Sequence, residues 1–128
     1  MIERLRENRL RLTPQRLELL RILEEYGRNH PSFSEIYEIF RSRHATVSQS
    51  TVLKNLATFE ELRLLRSFSY LGETRYELNP IPHVNLVSSN GTIVDIGGED
   101  VRRLLKQLVD VINEKTGNDV KHLLVLIQ

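Results

Sequence analysis

At 128 residues, with 40% hydrophobic and 27% charged side chains, the chain has material for a core, while the absence of cysteine excludes disulfides, thiolate zinc sites and cysteine redox sensing. No run approaches the roughly 18 to 20 apolar residues of a membrane span, and the opening MIERLRENRL lacks a signal-peptide pattern, so the reading is of a cytoplasmic protein with no membrane partner. The formal charge of +1 conceals an asymmetry: up to Tyr70 there are twelve Lys/Arg against nine Asp/Glu, and beyond it six against eight, with Arg4, Arg6, Arg9, Arg11, Arg16 and Arg21 crowding the first segment. A surface facing phosphates has this character, and so does a solvated helix of mixed charge.

Taken in chain order, Thr13 followed by Pro14 places an N-cap hydroxyl before a first-turn proline. Leu17, Leu20, Ile22 and Leu23 then supply an apolar stripe, which predicts a helix from about Pro14 to Tyr26 closed by Gly27. After Arg28-Asn29-His30-Pro31, Ser32 and Glu35 form a capping box for a second helix with Ile36, Ile39 and Phe40 on one face. Ser48 is the N-cap of a third, which turns Val52, Leu56 and Phe59 inward and Gln49, Ser50, Leu53, Lys54 and Asn55 outward. From Leu64 the apolar period changes to two. LLRSFSY, a turn Leu71-Gly72-Glu73 and TRYELN make a hairpin. Helices followed by a hairpin in this order predict a winged helix-turn-helix, with the third helix presented to a major groove and the wing over phosphates.

Asn79-Pro80-Ile81-Pro82 is the linker, because two prolines extend the chain and remove ladder donors. The domains are therefore expected at 1–80 and 81–128. In the second, HVNLVSS and GTIVDI flank Asn90-Gly91, a type I′ hairpin signal. A helix from about Glu99 to Lys115 follows, with a stripe of Val101, Leu104, Leu105, Leu108, Val109 and Ile112, and then a final strand VKHLLVLIQ. The fold class is α+β: a winged helix-turn-helix, then a small α/β domain of three strands and one helix. That second unit is too small to bury such faces alone, so a homodimer is expected through it.

Two residue sets carry chemistry. Gln49, Ser50, Thr51, Lys54 and Asn55 offer short polar groups and a cation able to reach base edges or phosphates, although a polar helix face has the same composition. Of the four histidines, His30 and His83 flank the boundary between the halves; with Glu77, Asn85 and a further acid from Glu99 or Asp100 they make a nitrogen/oxygen set suited to Zn, Fe, Mn, Co or Ni. Histidines in loops and strands are more often structural.

LRLTPQRLELL, His30-Pro31, STVLKNLATFEELRLL, TRYEL and GTIVDI, in this order, resemble motifs of the ferric uptake regulator family across nearly the whole chain. The resemblance implies a regulator of Fur type, a repressor that binds a double-stranded DNA operator as a homodimer, with one divalent transition metal per protomer at the inter-domain hinge. It assigns Arg11 to a minor groove, Arg16 to a phosphate, Lys54 to the recognition-helix arginine, and His30, Glu77 and His83 to a regulatory metal site. Departures are equally specific. Leu53 stands where the family has tyrosine, Asn85 replaces a histidine ligand, and Pro82 and Val84 replace ligands of a second site that His122 retains. Val87 and Asn90 stand where the first cysteine pair of the family's structural zinc would be. That four-cysteine zinc is not expected here. A metal-independent regulator of the same fold, or an interaction module that binds no DNA, stay open as alternatives. No nucleophile motif points to an enzyme.

Overall fold

The computed structural model describes residues 11–78 and 81–128, which fall into two compact units divided between residues 80 and 81. Arg4, Arg6 and Arg9 lie outside the described residues. No helix among the described residues is long and apolar enough to cross a membrane.

In the N-terminal unit, α1 (Pro14–Tyr26) starts at Thr13, whose side chain accepts the Arg16 N–H at 3.2 Å. Its buried stripe is Leu19, Leu20, Ile22 and Leu23; Leu17, expected in the core, is only half-buried, and Leu19 takes its place. Gly27 does not close the helix in a left-handed conformation. The chain tightens into a single 3-10 turn, Gly27–Asn29, and the left-handed residue is His30, at φ 51°. A Cβ at Gly27 would lie 2.9 Å from Leu78 Cδ1, so a larger residue there would require the end of the Leu78 side chain to shift.

Helix α2 (Phe33–Arg43) begins with the expected cap, Ser32 accepting the Glu35 N–H at 3.2 Å and donating its hydroxyl to the Glu35 carboxylate at 3.3 Å. Helix α3 (Gln49–Glu61) is capped by Ser48 and buries Val52, Leu56 and Phe59 completely. The wing is β1 (Arg66–Tyr70) against β2 (Glu73–Glu77), antiparallel, with Tyr70 opposite Glu73. Glu73 is thus in the ladder, and the turn is the two residues Leu71 and Gly72, both at positive φ, as a right-twisted two-residue hairpin demands. Leu64, Leu65 and Tyr76 join the helical residues in one core.

In the C-terminal unit, β3 (Val84–Val87) pairs antiparallel with β4 (Ile93–Ile96) and parallel with β5 (Val125–Ile127), in the order β4-β3-β5. The β3–β4 turn differs from expectation. Only Gly91 has positive φ, Gly91 donates to the Ser88 carbonyl at 2.9 Å, and Ser88 to the Thr92 carbonyl at 2.8 Å. This is a three-residue connection ending in a left-handed glycine, not a type I′ turn over Asn90-Gly91. The final strand is also shorter than VKHLLVLIQ suggested, because Val120 is held by Asn113, whose amide exchanges two hydrogen bonds with its backbone. Helix α4 (Glu99–Thr116) spans the expected segment and ends at Gly117, φ 72°. Its apolar stripe is not uniformly covered: Leu105 is buried, but Leu104 is 61% exposed and Leu108 44%.

Candidate metal ligands and nucleic-acid interface

The N-terminal unit brings one histidine and one carboxylate together. His30 is fixed by the strand beside it: Arg75 donates Nη1 to the His30 carbonyl at 3.0 Å, Tyr76 N–H donates to the Pro31 carbonyl at 3.0 Å, and the Phe68 ring meets the imidazole edge-on. Its Nε2 lies 3.5 Å from Glu77 Oε2, with both side chains about 1% exposed. Glu77 ends β2, and its other oxygen accepts from Arg66 Nε at 3.2 Å.

The C-terminal unit makes a second such pair. His83 is buried, and its Nδ1 lies 2.7 Å from the Ile81 carbonyl. A carbonyl only accepts, so Nδ1 donates to it, and this outer hydrogen bond orients the ring with Nε2 as the nitrogen turned toward a ligand position. That Nε2 is 3.5 Å from Asp95 Oδ1. Two ligand atoms each about 2.1 Å from a tetrahedral ion stand about 3.4 Å apart. Each histidine–carboxylate separation therefore suits two neighbouring ligands of an ion, and the donors are the nitrogen and oxygen types that Zn, Mn or Fe accept.

Asp95 is not among the residues predicted from sequence. A type I′ turn would have paired Leu86 with Asp95 and turned its carboxylate to the opposite face from His83 and Asn85. The longer turn shifts the register by one residue, so Asn85 faces Asp95, and a shift of one residue exchanges the two faces. Glu99 and Asp100, expected as ligands, occupy the exposed first turn of α4, where the Asp100 carboxylate accepts the Val101 N–H at 2.8 Å. Asn85 is buried, but its Nδ2 donates to the Val125 carbonyl at 3.3 Å, so one end of the amide serves the sheet. His122 is exposed, and His44 packs its ring against Phe40 at the end of α2.

The residues assigned to DNA converge more fully. Gln49, Ser50, Leu53 and Lys54 are exposed on α3, and Thr51 and Asn55 half-buried. Arg11, Arg16, Thr51, Lys54 and Asn55 line one open groove of about 640 Å³ between the start of α1 and the outer face of α3. Leu53, 45% exposed, lies instead in a smaller depression beside the wing turn, with Phe33, Gly72 and Thr74. Three cations therefore share the groove with hydroxyl and amide groups and one carboxylate, Glu61, a lining with a net positive excess of the kind that phosphate and base-edge contacts use.

The sequence of this chain matches the ferric uptake regulator family over residues 7–126. The chain belongs to that family. It is 36% identical over 121 residues to the ferric uptake regulation protein homolog of Archaeoglobus fulgidus, covering 94% of this chain and 88% of that protein. The peroxide-responsive repressor PerR of Staphylococcus aureus is 28% identical over 85% of this chain and 76% of its own. Among solved structures, a zinc-bound manganese uptake regulator superposes with a TM-score of 0.70 at 25% identity, over 98% of this chain and 93% of that one. This Fur-family chain is thus a transcription regulator and not an enzyme, with the α+β fold and winged helix-turn-helix that its sequence predicted.

Proposed function

We propose that this Fur-family protein is a homodimeric repressor that binds an operator duplex through α3, under the control of one divalent transition metal per protomer. The observation that carries the metal is the His83–Asp95 pair, whose Nδ1–H bond to a backbone carbonyl presents Nε2 as a ligand nitrogen. His30 and Glu77 are the other ligands, so the ion takes donors from both units. The bound ion would supply positive charge to offset two carboxylates, and a geometry that its four donors share. Occupancy then favours one arrangement of the units, by differential affinity for it. The relatives' names support this reading, one being a repressor and one a zinc-bound manganese uptake regulator. The cytoplasm is its place of work.

Dimerisation rests on the apolar surface that the C-terminal unit leaves uncovered, including Leu104, Leu108 and Val111 of α4. DNA contact rests on the cationic groove, with Gln49 and Ser50 at the start of α3 and Leu53 meeting a thymine methyl where apolar contact suffices. One observation favours a metal-independent regulator instead: the Asn85 amide is engaged by the sheet, which leaves fewer strong donors than a second imidazole would give. Elemental analysis by plasma mass spectrometry decides between them. Protein purified without chelator should carry about one transition-metal ion per chain, and the His83→Ala variant should carry far less; metal at background in both would remove the metal from the proposal.

A further inference from the structure

Arg16 occupies the first turn of α1, half-buried, yet its hydrogen bonds lead away from its own helix. Its Nε donates to Asn55 Oδ1 at 3.0 Å, and its Nη1 donates to the Arg11 carbonyl at 2.8 Å. One planar group thereby joins the recognition helix to the segment preceding α1. The chemistry also settles the orientation of the amide. A guanidinium nitrogen can only donate, so the atom facing it must be the oxygen of Asn55, and the NH2 is the end not committed to Arg16.

We propose that Arg16 is a positioning residue which clips the Arg11 segment to α3, so that Arg11, Lys54 and Asn55 meet a duplex as one preformed surface, and which fixes the orientation of the Asn55 amide. The inference rests on the duplex-binding reading above. It departs from a plain phosphate contact in two ways. A lysine would keep the charge but could not reproduce the fork of two bonds, which needs the fixed guanidinium geometry. In addition, one lone pair of the Asn55 oxygen is committed to Arg16, which fixes the direction in which the amide is presented to a duplex. The NH2 is thereby aimed at acceptors, whether on a base edge or a phosphate.

The probe is a fluorescent duplex enriched from a random-sequence pool on the full-length protein supplied with Mn(II), with anisotropy measured across a salt series. Losing a charge-assisted hydrogen bond should weaken binding about tenfold in Arg16→Lys, at the wild-type salt slope because the charge is kept. Asn55→Ala should cost a similar factor, and the double variant clearly less than the product of the two, since each breaks the same link. Thermal unfolding midpoints of these partly exposed variants should stay within about 3 °C of wild type. Wild-type affinity in Arg16→Lys, or losses that multiply in full to about a hundredfold, would overturn the clip. In either case a flattened slope in Lys54→Ala would leave the duplex reading standing. Should the wild type bind no duplex at low salt, both fall.

Discussion

The two units of this chain solve the burial problem differently. Among the described residues, the N-terminal unit closes a core of thirteen buried apolar residues drawn from α1, α2, α3, the wing and the segments beside them, with Leu19, Ile22, Ile36, Val52, Leu56 and Phe59 at zero exposure. The C-terminal unit buries Ile93 and Leu105 alone among its large apolar side chains, while Leu86, Val94, Ile96, Leu104, Leu108, Val111, Leu124 and Ile127 are exposed. Its most buried side chains include instead the polar His83 and Asn85. One unit therefore covers most of its own large apolar side chains, and the other leaves many of its own exposed. Natural monomers rarely expose contiguous apolar patches of this kind, and a second copy of the same face is the simplest cover.

Substitutions can break that contrast, the largest effect falling where the core is closed. Phe59→Ala, which empties a fully buried ring, should cost the N-terminal unit about 3–5 kcal/mol in urea unfolding; a loss below about 1 kcal/mol would mean that this core is looser than it looks. Leu108→Glu places a charge on the open stripe of α4 and should turn a dimer into monomers by sedimentation, with duplex affinity reduced about a hundredfold because the two half-sites are no longer bound together. Unchanged sedimentation would show that the exposed stripe is not the interface. At the ligand sites, Asp95→Ala should weaken Mn(II) or Zn(II) binding by at least about tenfold in calorimetry, whereas Glu99→Ala and Asp100→Ala should leave it unaltered. The reverse pattern would restore the two α4 acids as ligands. Lys54→Ala should reduce the slope of log affinity against log salt by about 0.9, the share of one phosphate.

The smallest effect concerns acid stability of the N-terminal unit. Arg43 bonds Glu18 at 2.9 Å and Glu25 at 3.1 Å, and its hydrogen bond holds the buried Glu18 carboxyl below the usual value against the opposing effect of burial, with the Arg43 and His44 charges assisting. A carboxyl lowered on folding contributes stability above its unfolded pKa, near about 4.3, and loses it as pH falls through the lower folded value. The thermal midpoint of Arg43→Ala should therefore lie below wild type near neutrality and approach it in acid. Parallel curves for the two proteins would detach this network from the pH response.

What is legible in the sequence divides along the same line. Thr13, Ser32 and Ser48 each cap the helix expected of them, because N-cap bonding is local and depends on side chains within three positions. Val52, Leu56 and Phe59 are legible for a related reason: helical periodicity survives small errors of boundary. Strands forgive less. Asn90-Gly91 reads as a two-residue turn, and the difference of one residue in the actual connection moves Asp95 to the face of His83, an acid that sequence reasoning does not name beside Glu99 and Asp100. The apolar stripe of α4 is legible from its period, but which of its residues stay exposed is not, since a period does not say what supplies the cover. Arg16 reads as a phosphate contact, and its bond to Asn55 spans 39 residues of sequence, a separation that no motif encodes.

The most direct test joins the two units in one experiment: anisotropy of a selected duplex with wild-type protein that has been stripped by chelator, then restored with Mn(II) or Zn(II), alongside Asp95→Ala treated identically. Stripped wild type should bind at least about tenfold more weakly than restored wild type, in the usual range of allosteric coupling, and Asp95→Ala should stay at the stripped level after metal is returned. Duplex affinity indifferent to removal and return of metal in the wild type would contradict metal control of this regulator.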